Sequence, residues 1–140
     1  MKAGFQTFLD EAGDAACYAL DIIQIAIFDT GRNFDPINAL DVGIGRGYIH
    51  YNEFNQDDNE NFFVKDPAAF LSALTGKIWT VTKERPEYVA AEGEYVVERW
   101  ERQVSGRLIS HFRLPDWDSL ADSKTVRYGA IASKRVFRRA

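Results

Sequence analysis

A thiol, an imidazole and a carboxylate are the side chains that nucleophilic attack on a carbonyl needs, and this chain has one arrangement that could unite them. Cys17 is its single cysteine, and His111 is one of two histidines. The thiolate is the attacking form of such a site, so a base must lie within hydrogen-bond reach and a third group must fix the base's tautomer. His111 stands between Ser110 and Phe112 in a stretch of strand character, directly before Leu114-Pro115. If Leu114-Pro115 is the tip of a hairpin, counting outward sets Arg113 against Asp116, Phe112 against Trp117 and His111 against Asp118. Directly opposed residues stand about 5 Å apart at Cβ, which lets a carboxylate hold one ring nitrogen while the other faces a thiol. Asp116 and Asp122 are alternatives for the third position. His50 follows a glycine cluster in a polar stretch and reads as a surface or structural residue. A lone cysteine among Ala and Leu also packs as a small hydrophobe, and a histidine beside a carboxylate is also a common structural pair.

The elements that would position these groups follow from local pattern. Asp14 is a good N-cap residue, and residues 15–28 contain no Gly or Pro and carry Leu20, Ile23 and Ile27 at helical spacing. That places Cys17 in a first helical turn, where free N–H groups and the helix dipole favour a thiolate. Gly31 ends this helix. Asp35-Pro36 opens a second, with Asp as N-cap, Pro at the first helical position and Ile37, Leu40 and Ile44 as its apolar stripe. Gly43, Gly45 and Gly47 lack the preceding strand and the spacing of a dinucleotide loop, so they read as helix termination. Residues 51–60 read as a solvated polar loop, without the spacing of a calcium site. Asp66-Pro67 repeats the start signal for a short helix over 68–74, closed by Gly76.

From Lys77 onward the period changes to that of strands. Residues 78–82 and 94–100 are rich in β-branched and aromatic side chains, with a turn at Arg85-Pro86-Glu87 between them. Residues 103–106 turn into a partner strand over 107–114, and further strands are expected at 125–128 and 131–137. Helices first and an antiparallel sheet afterwards is the order of an α+β domain, with helices packed on one sheet.

Composition sets the outer limits. At 140 residues, 46% hydrophobic and 27% charged, the chain is expected to be a single domain over residues 1–140. No run is apolar and long enough to cross a membrane, and the first residues lack a signal-peptide core. One cysteine forms no internal disulfide, and with two histidines it gives no zinc-type ligand set, so neither a metal nor a cofactor is expected. A cytoplasmic location follows as the expectation. Residues 1–66 carry 12 acidic against 4 basic side chains and residues 67–140 carry 9 against 13. The acidic first half argues against nucleic-acid binding, and Lys134, Arg135, Arg138 and Arg139 read as a solvated basic face.

Three stretches together resemble the papain-like superfamily of cysteine peptidases and amidases. They are residues 13–20, with Cys17 opening a helix; Ser110-His111-Phe112, which looks like the strand that bears the histidine; and residues 117–129, which are similar to the tail that follows the histidine in compact bacterial and phage members, of the kind grouped with C39-like and NlpC/P60-like domains. The resemblance implies a papain-like fold with N-terminal helices on a C-terminal antiparallel sheet. It also implies Cys17 as nucleophile, His111 as general base, Asp118 as orienting acid and a peptide or amide as substrate. A glutamine ahead of the cysteine completes the oxyanion hole in such enzymes, and Gln6 is the upstream glutamine here. Trp117, Trp100 and Tyr18 are expected around the cleft. The alternative is a catalytically inactive papain-like domain that binds a protein partner.

Overall fold

Aspartate followed by proline starts two of the helices, for the reason that composition suggests. A computed structural model describes residues 16–51, 62–115 and 129–140. Helix α1 is Cys17–Thr30, α2 is Pro36–Gly45 and α3 is Pro67–Thr75. The Asp35 carboxylate accepts the N–H of Ile37 at 2.9 Å, and that of Asp66 accepts the N–H of Ala69 at 3.0 Å, so each caps its own helix while proline fills the first position.

Helix α1 starts differently. Its N-cap is Ala16, with no side-chain cap bond, and Asp14 lies outside the described residues. Gly31 ends it in the left-handed conformation, donating to Ile27 O at 2.9 Å. Leu20, Ile22, Ile23, Ile25 and Ala26 are all fully buried, so α1 is covered around most of its circumference. A helix of this kind belongs between layers, not on top of one.

Between α2 and α3 the chain makes a small antiparallel pair that the sequence reading did not expect; it flanks the expected polar loop, of which residues 52–60 lie outside the described residues. Strand β1 (Ile49–Tyr51) lies beside β2 (Phe62–Val64), with His50 opposite Phe63. His50 is exposed there, as expected. Gly43 permits the close seat of α2 on this pair: a Cβ at that position would stand 2.6 Å from Ile49 Cδ1 and 2.9 Å from Phe70 Cε1.

Among the described residues the main sheet has four antiparallel strands, β3 (Trp79–Glu84), β4 (Tyr95–Val104), β5 (Arg107–Arg113) and β6 (Ala130–Arg139), in the spatial order β3-β6-β4-β5. Strands β4 and β5 are joined by Ser105 and Gly106, both at positive φ, the geometry of a tight two-residue hairpin. Strand β6 is inserted between β3 and β4, making β5 an edge among the described strands. Opposed residues in an antiparallel ladder share a face. On one face stand Trp79, Val81 and Lys83 of β3, Arg139, Phe137 and Arg135 of β6, Val97 and Arg99 of β4, and Phe112 and Ser110 of β5. This face meets α1, burying Trp79, Val97 and Phe137 with Leu20, Phe70 and Leu71 in one core. The other face carries Val96, Val136, Trp100 and His111.

The architecture is therefore α+β, with antiparallel sheets and helices that precede the main sheet. Among the described residues, no helix is long and apolar enough to cross a membrane. The basic strand is not a solvated face. Arg139 reaches Asp29 at 3.5 Å, Arg138 pairs with Glu94, and Lys134 donates to Tyr88 O at 2.8 Å.

Candidate functional site: a cleft beside Cys17

Cys17 occupies the first position of α1, within the first turn expected for it but two residues nearer the helix start, and is 4% exposed. Its neighbour across the cleft wall is the edge strand. The main-chain N–H of Phe112 points at Cys17 Sγ from 3.3 Å. One residue further along α1, the Tyr18 ring stacks on the Phe112 ring, with centroids 4.4 Å apart and planes inclined by 13°. Phe112 thus fixes the start of α1 twice, through its backbone and through its ring.

The pleat that brings Phe112 to α1 sends His111 the other way. His111 is opposite Trp100, and Phe112 is opposite Arg99; Arg99 Nη2 in turn donates to Ser110 Oγ at 2.9 Å, on the same face as Phe112. Side chains alternate along a strand, so the His111 imidazole leaves β5 on the face away from the Tyr18–Phe112 stack. It is 7% exposed. Cys17 and His111 are thus brought to neighbouring residues of one strand, on its edge and on its far face. The strand partner of His111 is Trp100 on β4; the hairpin count to Asp118 falls outside the described residues, as do Asp116, Asp122, Trp117 and Gln6. Of the expected aromatic lining, Tyr18 reaches the cleft, whereas Trp100 shares the face of His111.

The cleft itself holds about 400 Å³ and lies between the start of α1, β2 and the helix-side face of the sheet. Phe62, Phe63 and Val64 form one wall, Val81 and Phe112 the floor, and Pro67 of α3 a corner. Phe63 is more than half exposed and forms a lip. Cys17, Ser110 and Thr82 are among the residues that line the cleft. A cleft of this size, apolar with a few polar groups, is of the kind that holds a small organic molecule.

Its charge is the feature that the sequence reading missed. Arg135 of β6 lies directly opposite Lys83 of β3, and both line the cleft. Arg135 is half-buried, its Nη1 donates to Ser133 Oγ at 2.7 Å, and its guanidinium lies 5.8 Å from the Phe112 ring centroid. Burial pulls its pKa down; the Tyr18 phenol opposes this, and the Arg99 guanidinium adds to it. Among the described residues, neither Arg135 nor Lys83 has a carboxylate within ion-pair distance. Tyr18 is pushed well above the ordinary phenol range, chiefly by burial, with Arg135 opposing and the buried Asp21 carboxylate reinforcing the shift. Its hydroxyl is buried without a hydrogen-bond partner among the described residues. The one signal in the sequence was the pair of basic residues themselves, and only the β3–β6 register makes them neighbours.

Among the described residues, no group of three or more His, Cys, Asp and Glu side chains is placed to hold a metal ion. Compared with models of protein families, with curated proteins and with solved structures, the chain matches none.

Proposed function

We propose that this chain binds a small, largely apolar organic molecule in the cleft between α1, β2 and the main sheet. The observation that carries the reading is the cleft: about 400 Å³, walled by Phe62, Phe63, Val64, Val81 and Phe112, with Cys17 and Ser110 also in its lining. A few placed polar groups in an apolar wall orient a ligand whose body is held by burial. The chain's single cysteine is compatible with a cytoplasmic role, since it forms no internal disulfide. The test is titration with the neutral fluorophore N-phenyl-1-naphthylamine. Saturable one-to-one binding that is lost when Val81→Trp fills the cleft supports the reading. Absence of saturable binding, or binding that V81W leaves unchanged, overturns it.

A second reading, a cysteine hydrolase of papain-like type, is favoured by one observation: the cysteine at the first turn of α1 lines this same cleft. In it Cys17 attacks an amide or thioester carbonyl, His111 moves the proton and Asp118 holds the ring. It requires the imidazole to come round the edge of β5 to the sulfur. Alkylation by iodoacetamide across pH decides. Reaction of Cys17 at neutral pH that His111→Ala slows supports it, and reaction only above about pH 8, or at a rate indifferent to H111A, rejects it.

A further inference from the structure

Ladder register sets two cations against each other at the mouth of the cleft. Arg135 and Lys83 are direct cross-strand partners on the helix-side face, so their Cβ atoms stand about 5 Å apart, and like charges so placed repel. Elsewhere in the sheet Lys134 donates to Tyr88 O, and three arginines are matched with carboxylates. Arg138 pairs with Glu94 and Glu84, Arg139 with Asp29, and Arg99 with Glu101 at 2.7 Å. Arg135 and Lys83 have no carboxylate within ion-pair distance among the described residues, and both line the cleft. Arg135 is held in place by Ser133 and by the Phe112 ring, so its fork is fixed before any ligand arrives.

We propose that the ligand of this cleft is an organic carboxylate: an aromatic or branched apolar body between Phe62 and Phe112, with its anionic group on Arg135 and Lys83. The inference rests on the cleft being a ligand site and adds to it the charge of the ligand. A carboxylate suits a guanidinium because two parallel N–H groups can meet its two oxygens, and a half-buried site screens that contact less than open solvent does. Lys83 is exposed and contributes as a point charge at the entrance. One anion also relieves the repulsion between the two cations.

The experiment compares 2-naphthoate with 2-naphthamide, equal in shape and different in charge, by calorimetric titration against the folded full chain at low salt. The expected result is that 2-naphthoate binds about tenfold or more tightly than the amide, and that its advantage falls with added salt. Arg135→Met removes the advantage, Arg135→Lys keeps part of it, and Lys83→Met, at an exposed position, weakens naphthoate by about threefold while leaving the amide unchanged. Circular dichroism of each variant checks that it is folded, and the wild-type comparison needs no variant. Equal binding of acid and amide overturns the charge assignment and leaves the cleft standing as a ligand site. Binding of neither, together with no saturable N-phenyl-1-naphthylamine binding, removes both.

Discussion

The two ends of the main sheet's helix-side face treat their cations in opposite ways. Where α1 ends, the Asp29 carboxylate is 1% exposed and gathers Lys77 at 2.7 Å, Arg139 at 3.5 Å and the Tyr95 hydroxyl at 3.4 Å. Tyr95 is raised above the ordinary phenol range by burial first and by the Asp29 charge second. Where α1 begins, Arg135 and Lys83 face each other across a cleft with no such carboxylate among the described residues. The first end has the composition of a fastening, with charges closed on one another. The second sets two like charges side by side at a cleft, the socket that the proposed anion would fill. Arg139 and Arg135 lie four residues apart on one face of β6, so one strand supplies both ends.

The contrast can be broken by measurement, beginning with its strongest element. Asp29→Asn takes the charge from a buried acceptor of three groups. It is expected to cost about 2 kcal/mol in urea unfolding, tempered because Lys77 and Arg139 remain partly hydrated. A loss no larger than that of an ordinary surface substitution would mean the end is not a fastening.

Next in size is Glu94→Gln, on the neighbouring closed network. Glu94 accepts from the Tyr88 hydroxyl at 2.6 Å and from the Ala91 N–H at 2.7 Å, and it pairs with Arg138. The Tyr88 hydroxyl, and after it the Ala91 N–H, holds its carboxyl below the usual carboxylate range. A lowered folded value means a contribution that is complete above the unfolded value of about 4.3 and is lost as pH falls through the lowered one. The variant is therefore expected to melt below the wild type at pH 7, with the gap closing as pH drops below about 4. A gap independent of pH would contradict this.

The smallest effect is the most pointed. Lys83→Glu puts a carboxylate opposite Arg135 and turns the socket into a fastening. It is expected to raise stability by about 0.5 kcal/mol and to abolish the preference for 2-naphthoate over its amide. If K83E lowers stability, the two cations were not in conflict.

Much of the local structure was legible in the sequence, and the reason is that its signals are local. Asp35-Pro36 and Asp66-Pro67 each carry a cap and a preset φ within two residues, and both open helices. Gly31 and Gly76 end helices in left-handed conformations, and Ser105-Gly106 makes the β4–β5 turn. The order of helices before an antiparallel sheet gave α+β correctly. What was not legible depends on distant partners. Nothing in residues 130–139 says that they lie between β3 and β4, and without that register Arg135 and Lys83 are just two basic residues. The short β1–β2 pair escaped notice because each strand is three residues long, too short for a period-2 pattern to show. The position of Cys17 at a helix start was readable from the apolar run that follows, although Ala16 and not Asp14 is the N-cap. Which residue of β5 would meet it was not, because spacing along a strand fixes the face of a side chain only once the partner strand is known. Phe112 meets it by its main chain, a contact that no side-chain pattern records.

The insertion of β6 into the middle of the sheet also orders events in time. Strands β4 and β5 are joined by a two-residue turn and can zip as soon as both exist, whereas β3 has no partner in the ladder until β6 reaches it. Until then β3 and β4 both present unpaired edges, so an incomplete chain exposes two strands ready to pair with other chains. Arg135 arrives with β6, in the same step that closes the sheet. The cleft therefore acquires Arg135 only with β6, and until then Lys83 is the one cation among the described residues that line it.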